Sequence, residues 1–272
     1  MPDSKGIMTE TMLVELERLK LRPSLTQIQG WRLNDLQYRL DTYNPKNISP
    51  GAISSLIGTY LYLKYGRRPQ RKGHAPIQLI KGSTSEVAAS KMVERVTGQA
   101  FYKNKKRLSN DYLKGILDVT SAPTIEDSKY IIEIKNSKSL HTFAQSAREP
   151  LPPSIDFQVQ GYFALTGLEK GIVYNCLVDM PDHLIKEQYD LLFQTLCPDG
   201  IITDLFTEEW SELEHGFRFN DIPEEERVIP FPVERNEKTI SNIYEKLELC
   251  REWLAEFHEL YKKKTYAIVL DS

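Results

Sequence analysis

The densest piece of chemistry in this 272-residue chain is Glu133-Ile134-Lys135, an acid and a base separated by one residue. In the segment Tyr130–Lys135 (YIIEIK) a strand would turn Glu133 and Lys135 to one face and Ile132 and Ile134 to the other. Asp118 stands fifteen residues earlier in YLKGILDVT. If the two segments pair, its carboxylate reaches the same face, and two hard oxygen ligands are then available to a magnesium ion. Glu86, near the start of a preceding helix, can add a third carboxylate. Gln158 and Tyr162 are one helical turn apart on a later helix and so share a side of it. Each residue also has an ordinary role open to it. Glu86 can answer Ser83 in a capping box, and Asp118 or Glu133 can simply pair with Lys135 on a strand face. Gln158 can face solvent, and Tyr162 can be core.

The elements that must position these residues follow from periodicity and breakers. Residues 8–21 and 26–43 read as helices, with Met12, Leu13, Leu16 and Leu19, then Ile28, Trp31, Leu36 and Leu40, at helical spacing. Ser49-Pro50-Gly51 opens a third helix that runs to about Tyr65. Ser83-Thr84-Ser85-Glu86 fits a capping box for a helix to about Thr97, closed by Gly98. Residues 112–120 and 130–135 are rich in β-branched and aromatic side chains and read as neighbouring strands. Ser154 is placed to cap a helix through Thr166 ending at Gly167, and Gly171–Asp179 reads as a buried strand. The acidic, proline-bearing stretch 204–232 reads as a loop or partner-facing edge. A last helix over 239–263 carries Ile240, Ile243, Leu247, Cys250, Leu254, Phe257 and Tyr261, a seam expected to pack on its own domain. The pattern is an α/β fold with a central mixed sheet flanked by helices. It divides into an N-terminal helical section (1–75), a core (76–200) and an acidic loop with the long helix (201–272), together one compact domain.

Composition narrows the class further. With 40% apolar and 27% charged residues the chain is an ordinary globular protein, neither disordered nor fibrous. Its longest apolar runs fall far short of a membrane span, and the first ten residues lack an apolar signal region, so a cytoplasmic location is expected. Cys176, Cys197 and Cys250 are odd in number and widely spaced, which disfavours a disulfide framework, a zinc ribbon or an iron–sulfur cluster. His74, His141, His183, His215 and His258 show no paired metal spacing. The net charge of −3 hides an asymmetry: residues 204–226 carry net −8, leaving +5 elsewhere. Two basic runs, Lys64–Lys72 (KYGRRPQRK) and Lys103–Arg107 (KNKKR), suit a phosphate backbone, as they also suit a solvated loop.

The set Asp118…Glu133-Ile134-Lys135 resembles the signature of the PD-(D/E)XK nuclease superfamily. GSTSEVAASKMVERVTG, GILDVT, IIEIKNSKS and QVQGYFALTG, in that order, are similar to the phage lambda exonuclease and YqaJ-like viral recombinase branch. With LSNDYLKG, SLHTF and DIPEEERVIPFPVERNE, the likeness extends over roughly residues 25–262. Leu117 stands where the superfamily name has proline, a position that ligates nothing.

The resemblance implies a restriction-endonuclease-like core and a nuclease that uses one or two Mg2+ or Mn2+ ions for phosphodiester hydrolysis. Asp118, Glu133 and the carbonyl of Ile134 would be the central ligands, with Glu86 on a second ion. Lys135 would orient or deprotonate the attacking water, or stabilise charge on the phosphate. Gln158, with Gln160 as rival, would steady Lys135 or the phosphate; two residues apart on a helix they face different ways, so one of them belongs in the site. Arg67, Arg68, Arg71 and Lys72 are expected along the DNA approach, with Gln160 and Tyr162 as further substrate contacts. The expected activity is exonucleolytic, on double-stranded DNA ends in recombination. A structure- or sequence-dependent endonuclease and a DNA end-binding protein that kept the fold are the alternatives. The resemblance also implies a homo-oligomer, with a trimer as its expected form. A phage single-strand annealing protein is a candidate partner for the acidic stretch.

Overall fold

The computed structural model describes residues 10–41, 48–67 and 77–266. The chain divides into two compact units, one of Met1–Gln70 with Tyr244–Ser272, the other of Arg71–Ile243. In the first unit α1 (Glu10–Lys20) and α2 (Gln27–Asp41) bury Leu16, Leu19 and Leu36 between them. Arg32 grips Glu15 with two hydrogen bonds of 3.0 and 2.7 Å. Helix α3 (Pro50–Tyr65) starts as its residues require: Ser49 accepts from the Ala52 amide, Pro50 lacks only a donor that would be idle there, and Gly66 closes it in the left-handed conformation. Tyr60 of α3 is buried against Phe257, His258 and Tyr261 of the long last helix, and its hydroxyl lies 3.0 Å from His258 Nδ1. At Phe257 and Tyr261 the seam of that helix thus packs against α3.

The second unit begins with α4 (Ile77–Thr84) and α5 (Glu86–Thr97). The expected capping box is absent. Ser83 lies inside α4, and Ser85 is itself helical, with its amide bonded to the Lys81 carbonyl and its carbonyl accepting from Ala89. The chain bends from one helix into the next without a fresh start, so Glu86 is the first residue of α5. After β1 (Tyr102–Lys103), the expected single strand over 112–120 is broken into β3 (Lys114–Gly115), which pairs with β2 (Leu108–Ser109), and β4 (Val119–Thr120). Between them the backbone oxygens leave the ladder for other donors. Tyr162 reaches Ile116, the Asn104 side chain reaches Leu117, and the Asn104 amide reaches Asp118. Gly115 marks the break because a Cβ there would meet the Tyr162 ring at 2.9 Å.

The chain continues through β5 (Ile131–Asn136), α6 (Leu140–Ser146), α7 (Pro153–Thr166) and β6 (Lys170–Cys176). Pro152 and Pro153 begin α7, and Ser154 falls inside its first turn instead of capping it. Next come α8 (Asp182–Leu196), α9 (Asp204–His215), β7 (Val228–Glu234) and α10 (Glu237–Tyr266). The reading of 204–232 as a loop is therefore corrected. Thr203 caps α9 through the Phe206 amide, and Phe206 and Trp210 pack edge-on against Tyr189 of α8. Further on, Glu224–Arg227 form a short 3-10 turn that leads into the sheet strand β7.

The sheet order is β1-β4-β5-β6-β7, with β5 and β6 parallel and the other pairs antiparallel. On one face Ile132, Ile134, Tyr174 and Cys176 pack against Ala89, Met92 and Val93 of α5. The other face carries Ile131, Gly171 and Val173 toward α7, whose Phe163 ring comes so close to Gly171 that a Cβ there would lie 3.2 Å from it. With both faces covered, β5 is buried along most of its length, as a central strand should be.

Candidate active site

Glu133 breaks the apolar rule of that second face. It is 1% exposed, and a carboxylate so placed is costly unless charges or a ligand compensate it. The antiparallel register pairs Val119 with Ile132, so one step further brings Asp118 opposite Glu133. On the other side Glu133 neighbours Val173, and Val173 neighbours Phe231. Asp118, Glu133, Val173 and Phe231 therefore form one row across four strands. Lys135 and Asn175 begin the next row toward the strand ends.

Lys135, Glu133 and Gln158 form a closed triangle. Lys135 Nζ lies 2.6 Å from Glu133 Oε1 and donates to Gln158 Oε1 at 2.9 Å, while Gln158 Nε2 donates to Glu133 Oε1 at 3.0 Å. Gln158 Nε2 also reaches the Tyr162 hydroxyl at 3.1 Å, and that hydroxyl donates to the Ile116 carbonyl at 3.1 Å. Tyr162 is thereby tied to the loop that delivers Asp118. Burial holds the Glu133 carboxyl above its ordinary range, against the pull of Lys135. Asp118 is likewise raised, first by burial and then by the nearby Glu86 carboxylate. Tyr162 is raised by burial, with its Gln158 bond acting the other way.

Glu86, Asp118, Glu133, Ile134, Lys135 and Gln158 all line one open pocket of about 550 Å³. Two departures from expectation stand out. Gln160 faces away: it is buried, donates to the Glu234 carbonyl at 2.9 Å and to Asp156 at 3.3 Å, and accepts from the Asn236 amide at 2.9 Å. It ties α7 to the end of β7 and is not available to substrate. Lys103, in contrast, enters the site, donating to Glu86 at 2.7 Å. The basic run 103–107 was visible in the sequence, but its place depends on β1 pairing with β4, for which two residues of strand give no pattern. Lys106 of the same run pairs with Glu126. Arg67 is exposed, while Arg68, Arg71, Lys72 and His74 lie outside the described residues.

The donor set suits a hard divalent cation. Glu133 Oε2 is buried and has no hydrogen-bond partner among the described residues, an orphan that an ion would satisfy. Among the described residues no three acid, histidine or cysteine side chains converge as a preformed cage. Glu86 is drawn to Lys103 and Glu133 to Lys135.

This architecture, a five-stranded mixed sheet with acids and a lysine on one face and helices on both, is a restriction-endonuclease-like α/β fold with helical extensions. Solved structures share it. A phage-related exonuclease from Haemophilus somnus 129PT superimposes with a TM-score of 0.56 at 17% identity, covering 94% of this chain and 97% of that one. An alkaline exonuclease from Laribacter hongkongensis gives 0.53 at 13% identity, covering 82% and 90% of the two chains. The same enzyme in complex with dAMP gives 0.54. No family model matches the sequence. No curated protein matches it.

Proposed function

We propose that the protein is a Mg2+- or Mn2+-dependent deoxyribonuclease that degrades double-stranded DNA from its ends. One observation carries the reading: a buried carboxylate with an unpartnered oxygen, in register with a second acid and locked to a lysine and a glutamine, on a fold shared with solved exonucleases. Asp118, Glu133 and the Ile134 carbonyl would hold the ion, with Glu86 serving a second. Bound there, the ion supplies Lewis acidity and a water of lowered pKa.

The chain's own residues do the rest. Lys135 spends two of its three donors on Glu133 and Gln158, which aims the third into the pocket, toward a phosphate oxygen or the attacking water. Gln158 fixes the direction of that ammonium. Tyr162 fixes Gln158 in turn and restrains the Asp118 loop through Ile116. Lys103, now paired with Glu86 at 2.7 Å, would exchange that carboxylate for a phosphate oxygen if Glu86 held the second ion.

Arg67, Arg68, Arg71 and Lys72 are proposed to hold the DNA backbone, so their neutralisation should weaken binding to all sequences alike. A homo-oligomer, as a trimer, would keep the enzyme on its track, and light scattering decides it: a mass near 31 kDa removes the assembly. The test of the activity is digestion of end-labelled linear duplex and covalently closed circular DNA. Linear DNA should be shortened with Mg2+ or Mn2+ and untouched in EDTA. Cutting of the circle at the same rate would make the enzyme an endonuclease, and no cutting of either would leave an end-binding protein.

A further inference from the structure

The pocket is larger than the charged cluster needs, and its second half is apolar. The row that begins with Asp118 and Glu133 continues into Val173 and Phe231, so the floor changes from acid to hydrocarbon and ring within two strands. Strand spacing places Phe231 about 10 Å from Glu133. Leu151, Pro152 and Ile155, from the start of α7 and the turn before it, line the same cavity. Val173 is buried, and Phe231 is partly exposed. Asn175, a polar side chain on this part of the floor, accepts from Ser137 at 3.0 Å and donates to Ser146 at 2.7 Å.

We propose that this slot receives the base of the terminal nucleotide, seated on Phe231 with Leu151, Pro152 and Ile155 bordering it, while its phosphate lies at Lys135. The inference rests on the nuclease reading and adds the feature that sets how the end is held. Three points support a base as the occupant. The slot is continuous with the lysine and carboxylates, so whatever enters has a phosphate at one end. Its far end offers apolar surface and an aromatic ring, which suits a flat heterocycle and leaves little for a hydrated sugar. With both ends of the Asn175 amide already hydrogen-bonded, the slot offers mainly apolar contact and holds a base chiefly by its faces, with little dependence on sequence.

The test compares binding of dAMP, dTMP, deoxyribose 5-phosphate and inorganic phosphate by calorimetry in Ca2+, using the full chain. Wild-type protein should bind dAMP about tenfold more tightly than deoxyribose 5-phosphate, with dTMP close behind dAMP. Phe231→Leu, which keeps apolar volume and removes the ring, should lose most of that preference with affinity for deoxyribose 5-phosphate unchanged. Phe231→Tyr should retain it. On duplex substrates Phe231→Leu should raise KM for ordinary ends and leave KM for ends with an abasic terminal nucleotide as it was. A merely structural role for Phe231 would shift all four ligands together. Wild-type protein that degrades DNA yet shows no preference for dAMP over deoxyribose 5-phosphate overturns the slot and leaves the nuclease reading standing. Failure to bind any nucleotide and to degrade DNA overturns both. An unchanged preference in Phe231→Leu overturns the role of the ring.

Discussion

Replacing Gln158 by leucine tests the triangle at the point where its members meet. The side chain makes three polar contacts, to Lys135 at 2.9 Å, Glu133 at 3.0 Å and Tyr162 at 3.1 Å, so leucine removes two hydrogen bonds to charged groups at nearly constant volume. The losses are unequal. Lys135 is about one third exposed and can take a water in exchange, whereas the nearly fully buried Glu133 regains one far less readily. Losing this one bond to a buried carboxylate that keeps Lys135 costs about 1–3 kcal/mol, which corresponds to roughly five- to 150-fold if it falls on the aligned state. The expected result is a fall in kcat of about ten- to hundredfold with KM for duplex DNA little changed, because the Lys135–Glu133 pair survives but is no longer aimed. Single-turnover digestion of end-labelled duplex at saturating enzyme measures this directly. A rate within twofold of wild type, in protein with native circular dichroism, would show that Gln158 is a bystander.

Gln160→Leu is expected to do the opposite: it strands the Glu234 carbonyl and Asn236 amide, lowering stability by about 2–4 kcal/mol in urea unfolding while kcat holds. Lys81 is 2% exposed, donates to the Ser137 carbonyl at 3.2 Å, and is held down to about 8 by burial, with Asp179 acting the other way. Below pH 8 both folded and unfolded forms carry the charge and the burial cost is full. Between about 8 and 10.5 the unfolded chain binds the extra proton, so stability from this group rises with pH by about 3 kcal/mol. Lys81→Met should abolish that rise, and identical pH slopes for the two proteins would contradict it. Gly171→Ala should destabilise, since its Cβ would meet Ile131 and Phe163 at 3.2 Å, and thermal unfolding at an unchanged Tm would show that the two neighbours yield.

How much of this was legible in the sequence depends on how local each signal is. Helix α3 could be read from Ser49, Pro50 and Gly66 because capping is decided within a few residues. Strand β5 could be read because its apolar run is short, β-branched and alternates with Glu133 and Lys135. Asp118 could be assigned to the site only on the supposition that its segment pairs with β5, and the pairing involves just Val119 and Thr120. The break at Gly115 depends on Tyr162, which lies far along the chain. Strand β7 was hidden by Pro230 and Pro232, which argue against a central strand. They are tolerated because β7 is an edge with only β6 as neighbour. Gln158 and Gln160 are separable in the sequence as facing different ways, but which one faces the lysine depends on the partner of each side, and the strand β7 beside Gln160 carries no strand pattern.

The central claim is that Asp118 and Glu133 hold the ion that drives hydrolysis. Nucleotide release from end-labelled linear duplex in Mg2+, followed for wild type, Asp118→Asn and Glu133→Gln of matched circular dichroism, tests it most directly. The account predicts release by wild type, none in EDTA, and release below detection in either variant. Digestion by Asp118→Asn at the wild-type rate would contradict it.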